Sequence, residues 1–329
     1  MGDHLAGKSF SSWAVLALGA GLAITACSSD NDATSTGTGS GATSSSGASG
    51  SGGAGGSGDA GGSGGATSGS GGAGGSGGAS GSGGAGGSGG SNGCGMPVMA
   101  GETTHTINVN GVDRTYLAVV PASLDGNTPA PVLLGFHGGS GTSQQASQNY
   151  GLTGPEAMLY VYPQAPFWPE AGGVAWNVDP AGVDFPYFDA LLIDIGEKYC
   201  IDATRIFAAG QSNGGFFVNA LGCYRPEALR AIAPVAGGGP PGQCDPSTVT
   251  AMIVHGTNDN TVPVSSGQFA RDWWLDSNGC AGAPSAPVNP APCVAYDGCA
   301  EPVLWCEHPG GHSWPAFAGP AIRGFFLSL

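Results

Sequence analysis

The stretch Ile206-Phe207-Ala208-Ala209-Gly210-Gln211-Ser212-Asn213-Gly214-Gly215 decides the fold of this chain. A short apolar run of strand length precedes a G-x-S-x-G pentapeptide, and a helix-compatible run, 216–221, follows it. This context predicts a nucleophile elbow, a sharp strand-to-helix turn that forces the serine toward positive φ and requires small neighbours, Gly210 and Gly214. Ser212 then begins a helix, where the amide of Asn213 favours an oxyanion. The alternative is a glycine-rich turn that contains a serine by chance.

Serine alone is a poor nucleophile, so Ser212 needs a base that takes its proton. This base is expected to be a histidine that follows the elbow in the chain. In the chain order nucleophile, acid, histidine, only His308 and His312 follow the candidate acids. His312 is favoured, since its loop of small residues, 309–315, lets an imidazole approach the elbow. His308 directly continues the last predicted strand. His255, which ends an earlier strand, is interpreted as a packed structural histidine.

The acid that orients the histidine is predicted to be Asp259. This residue follows the strand that ends at His255, and strand ends surround the site in open α/β sheets. Asp245 is explained more simply as a turn or helix cap, and Asp272 and Asp276 as solvated helix positions. An Asx-turn in a polar loop is the alternative explanation for Asp259.

A second oxyanion donor is expected in the loop after an early buried strand, His137-Gly138-Gly139-Ser140-Gly141. Its glycines let backbone N–H groups face a substrate carbonyl, with Gly139 as the first choice and Gly138 as the second. The same residues also suit a generic tight turn. Their place upstream of the elbow favours the oxyanion role.

Strands and helices alternate after an initial hairpin that turns at Asn110-Gly111. Continuous apolar runs predict buried strands, and apolar positions three or four apart predict helices. Besides the strand before the elbow, the predicted strands are 104–109, 114–120, 131–137, 158–162, 231–235, 251–255 and 303–306; helices begin at Asp184, follow the elbow, cover 265–275 and end the chain. The predicted fold class is α/β, a mostly parallel doubly wound sheet with the hairpin as an antiparallel edge.

The first 26 residues resemble a lipoprotein signal peptide. The apolar run 13–24 is too short to span a bilayer comfortably and is typical of a signal-peptide core. It closes on Ile24-Thr25-Ala26-Cys27, which resembles a bacterial lipobox whose cysteine becomes lipidated. Ser28 after Cys27 resembles the pattern of lipoproteins sent to the outer membrane. Ordinary cleavage beside a chance Cys27 is the alternative.

Residues 27–93 are predicted to be a disordered linker between this anchor and one catalytic domain, 94–329. The linker is almost entirely Gly, Ser, Ala and Thr, so it cannot bury enough apolar surface to offset the entropy of ordering. Its root-mean-square span as a flexible chain is roughly 45 Å. A repeat adhesin is disfavoured, since β-branched and aromatic residues do not recur there at any period.

Charge and cysteine content restrict the partners and the compartment. The chain has 8 Lys and Arg against 23 Asp and Glu, a formal net charge of −15, which disfavours a nucleic-acid partner. An even number of cysteines after a signal sequence predicts up to four disulfides in an exported protein. A structural zinc site would need pairs at Cys-x-x-Cys or His-x-x-His spacing, so no metal is expected. The cysteines after Cys27 are Cys94, Cys200, Cys223, Cys244, Cys280, Cys293, Cys299 and Cys306.

Several motifs occur in one order over nearly all of 94–329 and carry a family resemblance. They are Gly93-Cys94-Gly95, Asn110-Gly111-Val112-Asp113-Arg114-Thr115-Tyr116, Val161-Tyr162-Pro163-Gln164, Tyr199-Cys200-Ile201-Asp202, Gly210-Gln211-Ser212-Asn213-Gly214-Gly215, His255-Gly256-Thr257-Asn258-Asp259 and Trp305-Cys306-Glu307. The domain thereby resembles the esterase family of secreted feruloyl esterases, acetylxylan esterases and polyhydroxybutyrate depolymerase-like enzymes. The resemblance implies an α/β-hydrolase without a separate lid domain, with Ser212, Asp259 and His312 as the triad. The cysteine pattern looks closest to the feruloyl esterase branch.

The segment 167–185 matches no pattern that can be carried over from that family, and it is expected to shape the substrate groove. Trp168 and Trp176 lie within it, and Trp314 follows His312. Each indole offers a face on which a phenolic ring or a sugar can stack, so all three are candidate substrate contacts. Core or rim packing is the alternative for each.

The expected activity is that of an exported or surface-anchored serine esterase acting on feruloyl or acetyl esters of plant polysaccharide. A polyhydroxyalkanoate depolymerase is the alternative enzyme, and a catalytically inactive surface binding protein is the alternative of another class. Neither a cofactor nor a protein partner is expected. The expected location is a bacterial outer membrane or cell surface, held by a lipid anchor, or otherwise the medium.

Overall fold

The computed structural model describes residues 93–170, 172–242, 248–289 and 291–329. The predicted signal peptide, Cys27 and the linker up to residue 92 lie outside the described residues, as do Cys244 and Asp245. The predictions made for those residues therefore stay predictions.

Strands and helices alternate through the described part of the chain. The strands are β1 (Gly101–Val109), β2 (Val112–Val120), β3 (Ala130–Phe136), β4 (Leu159–Pro163), β5 (Phe167–Trp168), β6 (Gly173–Val174), β7 (Ile201–Gln211), β8 (Ala231–Val235), β9 (Thr250–Gly256), β10 (Pro284–Pro287), β11 (Cys293–Tyr296) and β12 (Val303–His308). The helices are α1 (Ser143–Asn149), α2 (Asp184–Lys198), α3 (Asn213–Tyr224), α4 (Val264–Ser277) and α5 (Ala318–Leu327), with a short 3-10 turn at Pro226–Ala228.

One ten-stranded sheet runs in the order β1-β2-β4-β3-β7-β8-β9-β12-β11-β10. The strands from β4 to β12 in this order are parallel, and an antiparallel pair completes each edge. At one edge Asn110 and Gly111 turn the β1–β2 hairpin with φ values of 53° and 84°, the backbone that an Asn-Gly hairpin turn requires. The predicted α/β class and doubly wound sheet are confirmed. The second antiparallel edge, β11–β10, was not predicted.

The sheet is covered on both faces, which explains why its central strands are continuous apolar runs. All residues of β3, β4, β8 and β9 are buried. Side chains of α2, α3 and α4 complete the core on one face, and those of α1 and α5 complete it on the other. The carboxyl ends of the parallel strands consequently meet at one edge, where the loops that follow them converge.

The domain contains disulfides, as the cysteine count predicted. They connect Cys94 to Cys200, Cys280 to Cys299 and Cys293 to Cys306, and Cys223 is also disulfide-bonded. The Cys293–Cys306 bond crosslinks β11 to β12 at directly paired positions. None of the described helices is long and apolar enough to cross a lipid bilayer.

Candidate active site

Ser212 lies at the strained turn that the sequence predicts between β7 and α3. Its backbone has φ 53° and ψ −122°, and its N–H donates to the carbonyl of Val235 at 2.9 Å. The turn tolerates no side chain at its flanks. A Cβ on Gly210 would lie 2.5 Å from the Gly214 carbonyl oxygen, and one on Gly214 would lie 2.4 Å from that of Phe136. The glycines thus let the elbow pack against β3, and the turn presents the serine hydroxyl at the sheet edge.

Two hydrogen bonds in series join Ser212, His312 and Asp259. His312 Nε2 lies 2.8 Å from Ser212 Oγ, and His312 Nδ1 lies 2.8 Å from Asp259 Oδ2. Because a carboxylate only accepts hydrogen bonds, Nδ1 carries the proton and Nε2 can accept the serine hydroxyl proton. The loops after β9 and β12 bring the acid and the base together, and Asn258 N donates to Gly310 O between them at 3.0 Å.

Asp259 is buried, and both of its carboxylate oxygens accept hydrogen bonds. Its Oδ2 holds His312, while its Oδ1 accepts from the backbone amides of Thr261 at 2.9 Å and Val262 at 2.8 Å. Burial by itself raises the pKa of Asp259, but the hydrogen bonds from His312, Val262 and Thr261 outweigh it and lower this pKa. The turn-like bonds of Oδ1 and the contact with His312 therefore coexist on one carboxylate.

The two other histidines considered from sequence, His255 and His308, make hydrogen bonds to the loops around the triad instead of to Ser212. His255 is fully buried, donates from Nε2 to Val262 O at 2.9 Å, and lies 3.5 Å from Asp259 Oδ2. His308 ends β12, and its Nδ1 accepts from Gly310 N at 3.1 Å. Burial lowers the pKa of His308, with a further contribution from His255. His255 is thus the packed, hydrogen-bonded histidine that the sequence predicts, and His308 supports the loop that carries His312.

The remaining candidate acids are not part of the site. Asp272 and Asp276 are exposed on α4, as predicted, and Asp272 pairs with its neighbour Arg271. Among the side chains that the structure describes, no group of three or more His, Cys, Asp or Glu residues is arranged to hold a metal ion.

The glycine loop after β3 lies beside Ser212 and the start of α3. A Cβ on Gly138 would lie 3.4 Å from Ser212 Cβ, and one on Gly139 would lie 3.9 Å from Asn213 Cβ. The Gly138 amide donates to the Tyr150 hydroxyl at 3.3 Å. The amides of Gly139 and Asn213 have no acceptor within the described residues. Both are thus available to a substrate oxygen, which favours Gly139 over Gly138.

Trp176 is a core residue, contrary to the expectation that it contacts substrate. Only 3% of it is exposed, and its ring packs against Phe136 and Phe217. Its indole N–H donates to His137 O at 2.9 Å, and its backbone N–H donates to Asn213 Oδ1 at 2.6 Å. Trp176 therefore connects the glycine loop to the elbow from within the protein, and its buried ring leaves no face for a ligand.

A cleft of about 390 Å³ opens beside His312, and we call it the polar cleft. Trp314 lines this cleft and stacks on Tyr150, with ring centroids 4.1 Å apart and planes 4° apart. Trp168 is half-buried in β5, where its indole donates to Ala175 O at 2.8 Å, and it does not line the cleft. The lining residues are His137, Gly138, Gly139, Gly141, Gln145, Ala146, Asn149, Tyr150, Gln211, His312, Ser313 and Trp314.

Comparison with known proteins identifies the family of this chain. Feruloyl esterase D of Neurospora crassa is 30% identical over 245 residues, covering 67% of this chain and 81% of that protein. The chain belongs to the feruloyl esterase family. Feruloyl esterase C of Emericella nidulans is 27% identical over 230 residues, covering 66% of this chain and 83% of that protein. As a member of this family, the chain is a carboxylic ester hydrolase. No protein-family model matches it.

Solved esterase structures share the fold of this chain. An acetyl xylan esterase from Aspergillus awamori superposes with a TM-score of 0.54, covering 69% of this chain and 100% of that one. The two are 17% identical, so the likeness concerns the fold alone. The chain has the α/β-hydrolase fold, as predicted.

Three side chains around the site of this family member were missed from sequence: His137, Tyr150 and Gln211. His137 Nδ1 donates to Gly138 O at 2.8 Å, and its Nε2 accepts from Ala165 N at 3.1 Å. Burial lowers the pKa of His137, so the ring is neutral and holds the glycine loop. The Tyr150 hydroxyl, which burial keeps protonated by raising its pKa to about 12, donates to Gln211 Oε1 at 3.3 Å. Gln211 stands inside the elbow motif, but no local pattern indicates that Tyr150 reaches it.

Proposed function

We propose that this protein is a serine esterase that removes feruloyl or acetyl groups from plant polysaccharide, with Ser212, His312 and Asp259 as its triad. The observation that carries the proposal is the series of two 2.8 Å hydrogen bonds from hydroxyl to imidazole to carboxylate at a nucleophile elbow. Membership of the feruloyl esterase family supports the substrate class. A complete triad also argues against an inactive binding protein.

The first half of the reaction transfers the acyl group to the enzyme. Ser212 Oγ attacks the ester carbonyl carbon while His312 Nε2 takes the hydroxyl proton. The carbonyl oxygen becomes an oxyanion and accepts hydrogen bonds from the amides of Asn213 and Gly139. When the carbon–oxygen bond breaks, His312 gives its proton to the departing alcohol, here a sugar hydroxyl. The acyl group remains on Ser212.

The second half regenerates the serine. A water molecule attacks the acyl carbon, His312 Nε2 takes its proton, and the same two amides stabilise the second oxyanion. Collapse of this intermediate returns the proton to Ser212 Oγ and releases the carboxylic acid. Asp259 stays ionised in both halves, because its lowered pKa and its backbone hydrogen bonds favour the carboxylate facing the imidazolium.

The test of this function is turnover of three substrates by the purified chain: methyl ferulate, para-nitrophenyl acetate and a polyhydroxybutyrate film. We expect hydrolysis of at least one of the small esters, and none by Ser212→Ala. Release of hydroxybutyrate from the film with neither small ester hydrolysed would favour the depolymerase alternative. Equal rates for wild type and Ser212→Ala would remove the serine esterase proposal.

We also propose that the esterase domain, 94–329, is tethered to a membrane through Cys27 and the linker 27–93. Two or three acyl chains on a lipoprotein cysteine anchor stably, at about 0.8 kcal/mol per buried CH₂, whereas a single chain binds fleetingly. A polymer cannot diffuse into a cell, so a reach of roughly 45 Å from a surface suits the proposed substrate. The disulfides agree with folding in an oxidising compartment.

Cell fractionation tests the anchor. Expressed in a bacterial host, wild-type protein is expected in the membrane fraction and Cys27→Ala in a soluble fraction. Wild-type protein free in the medium with an unmodified N-terminus would contradict the lipid anchor and leave the esterase proposal intact.

A further inference from the structure

One peptide unit of the glycine loop, between Gly138 and Gly139, determines whether this loop offers a donor or an acceptor to a substrate oxygen. Its N–H is that of Gly139, the predicted oxyanion donor, and its carbonyl is that of Gly138. Because this peptide bond is planar and trans, the N–H and the C=O point in opposite directions. Glycine on both sides lets the unit rotate at a low free-energy cost. A half-turn would direct a carbonyl oxygen, which repels an oxyanion, to the position where the N–H is needed.

The imidazole of His137 holds this unit by its carbonyl. His137 Nδ1 lies 2.8 Å from Gly138 O, and a carbonyl oxygen only accepts, so Nδ1 carries a proton and donates. Gly138 O also accepts from Gly141 N at 3.0 Å, within the same turn. The His137 ring is buried, and a Cβ on Gly141 would lie 3.2 Å from Nδ1, so Gly141 packs against the ring. A fixed ring that holds Gly138 O therefore also fixes the direction of the Gly139 N–H.

Two donors on the other side of the ring select this tautomer. Ala165 N lies 3.1 Å from His137 Nε2, and Gln164 Nε2 lies 3.2 Å from it. Gln164 turns its NH₂ group toward the ring because its Oε1 accepts from Ser143 N at 2.9 Å. A ring nitrogen that two N–H groups approach is unprotonated. Because burial lowers the pKa of His137 and keeps the ring neutral, its single proton is on Nδ1.

We propose that His137 is a positioning residue for the oxyanion site: its Nδ1–H holds the Gly138 carbonyl and thereby directs the Gly139 amide at the substrate oxygen. This inference rests on the proposed serine esterase function and adds a residue to it. His137 transfers no proton in this role. Gln164 and Ala165 act one step further away, by keeping the proton on Nδ1. Because oxyanion stabilisation is specific to the transition state, the contribution of His137 should appear in kcat and not in KM.

Two substitutions separate the two nitrogens of the ring. His137→Asn keeps an NH₂ group near the position of Nδ1, so it keeps the donor to Gly138 O and loses the acceptor for Ala165 N. His137→Gln keeps a carbonyl oxygen near the position of Nε2, so it keeps the acceptor for Ala165 N and loses the donor to Gly138 O. The measurements are kcat and KM on the small ester that wild-type protein hydrolyses, together with the temperature of unfolding.

The two variants should differ in opposite directions in activity and in stability. In His137→Gln, kcat should fall about 10- to 100-fold with KM nearly unchanged, less than for complete removal of an oxyanion donor because Gly141 N still holds Gly138 O. In His137→Asn, kcat should stay within about threefold of wild type, because the donor is kept. His137→Asn should nevertheless unfold at the lower temperature, since it leaves the buried Ala165 N–H without an acceptor. A merely structural role would make kcat follow stability.

A matched control and a second measurement accompany these variants. His105 on the edge strand β1 shares a hydrogen bond of 2.8 Å with the Tyr199 hydroxyl, and His105→Gln should leave kcat and KM unchanged. The second measurement uses wild-type protein that contains ¹⁵N-labelled histidine. At neutral pH the His137 ring, assigned through its own backbone amide, should show a protonated Nδ1 and an unprotonated Nε2. Should neither His137 variant fold, this tautomer decides.

Several results would overturn the inference. They are equal losses of kcat in His137→Asn and His137→Gln, wild-type kcat in both, a loss confined to His137→Asn, and a protonated Nε2 with an unprotonated Nδ1 in the wild-type ring. In each of these cases wild-type protein still hydrolyses the ester, so the serine esterase function stands. Failure of wild-type protein to hydrolyse either small ester would instead overturn the proposed function, and this inference with it.

Discussion

The region that contains the triad and the segment that packs beside it are built in different ways. The triad region comprises the loop ends after β7, β9 and β12, where neighbouring strands fix each loop through the sheet. In the segment 164–183, which we call the covering segment, the described residues (164–170 and 172–183) form only the two-residue strands β5 and β6 as regular structure. Hydrogen bonds to residues outside the segment hold it: Ser140 N donates to Val174 O at 2.7 Å, and Asn177 N donates to Asp184 Oδ2 at 2.7 Å.

The two regions therefore have different roles: the triad region contains the reacting groups, and the covering segment positions them. The triad region presents the reacting atoms, and its geometry follows from an elbow and two strand ends. The covering segment presents Trp176, whose contacts with His137 and Asn213 hold the two predicted oxyanion donors in place. Changes in the triad region should therefore act on the chemical step itself. Changes in the covering segment should act through the glycine loop and be smaller.

The largest effect in this comparison is expected for Asp259→Asn. Because Oδ1 accepts from two backbone amides, the amide oxygen of the variant stays there and its NH₂ faces His312 and donates to Nδ1. The imidazole then carries its proton on Nε2 and cannot act as the base, so kcat should fall roughly 10²- to 10⁴-fold. Thermal unfolding should remain cooperative. Asp272→Asn, an exposed change of the same chemistry, is the control and should keep wild-type kinetics. Near-normal turnover by Asp259→Asn would move the acid role to another residue.

The triad region could be predicted from sequence because each of its motifs is a short, continuous stretch of the chain. The elbow pentapeptide, the aspartate after a buried strand and the small-residue loop around His312 each occupy fewer than ten residues. The parallel strands are readable for the same reason, since each is a continuous apolar run. The carboxylate at Asp259 also forms the turn-like bonds that the alternative explanation expected.

The structure of the covering segment and of the short edge strands could not be predicted from sequence, because it depends on contacts with residues far away in the chain. Burial of Trp176 depends on His137 and Asn213, each more than thirty residues away. Helix α1 has no apolar periodicity, although its capping box, Thr142 with Gln145, was a readable signal. Strands β10 and β11 are four residues long, and β11 is crosslinked to β12 by a disulfide whose pairing the cysteine count leaves open.

A moderate effect is expected for Trp176→Phe in the covering segment. The ring volume is largely kept, but the buried His137 carbonyl loses the indole donor, which costs about 1–3 kcal/mol of stability. A less ordered glycine loop should lower kcat about tenfold with KM nearly unchanged, because oxyanion stabilisation is specific to the transition state. A rise in KM with kcat unchanged would instead indicate that Trp176 acts on substrate binding.

The smallest effect is expected for Trp168→Phe, the same substitution in the same segment. Its indole donates to Ala175 O at 2.8 Å from a half-buried position, so this hydrogen bond lies within the covering segment. We expect a loss of about 1 kcal/mol in the free energy of unfolding and kinetics within about twofold of wild type. A loss of kcat comparable to that of Trp176→Phe would show that the whole segment, and not the Trp176 contact, supports catalysis.

The central claim, that Ser212 is the nucleophile, is tested most directly by labelling with a fluorophosphonate. The reagent phosphonylates serines whose hydroxyl is deprotonated by a neighbouring base, and the elbow exposes and activates Ser212. We expect one equivalent of label on the peptide that contains Ser212, with complete loss of ester hydrolysis, and no labelling of Ser212→Ala. Label on a different serine, or retained hydrolysis in fully labelled protein, would contradict the account.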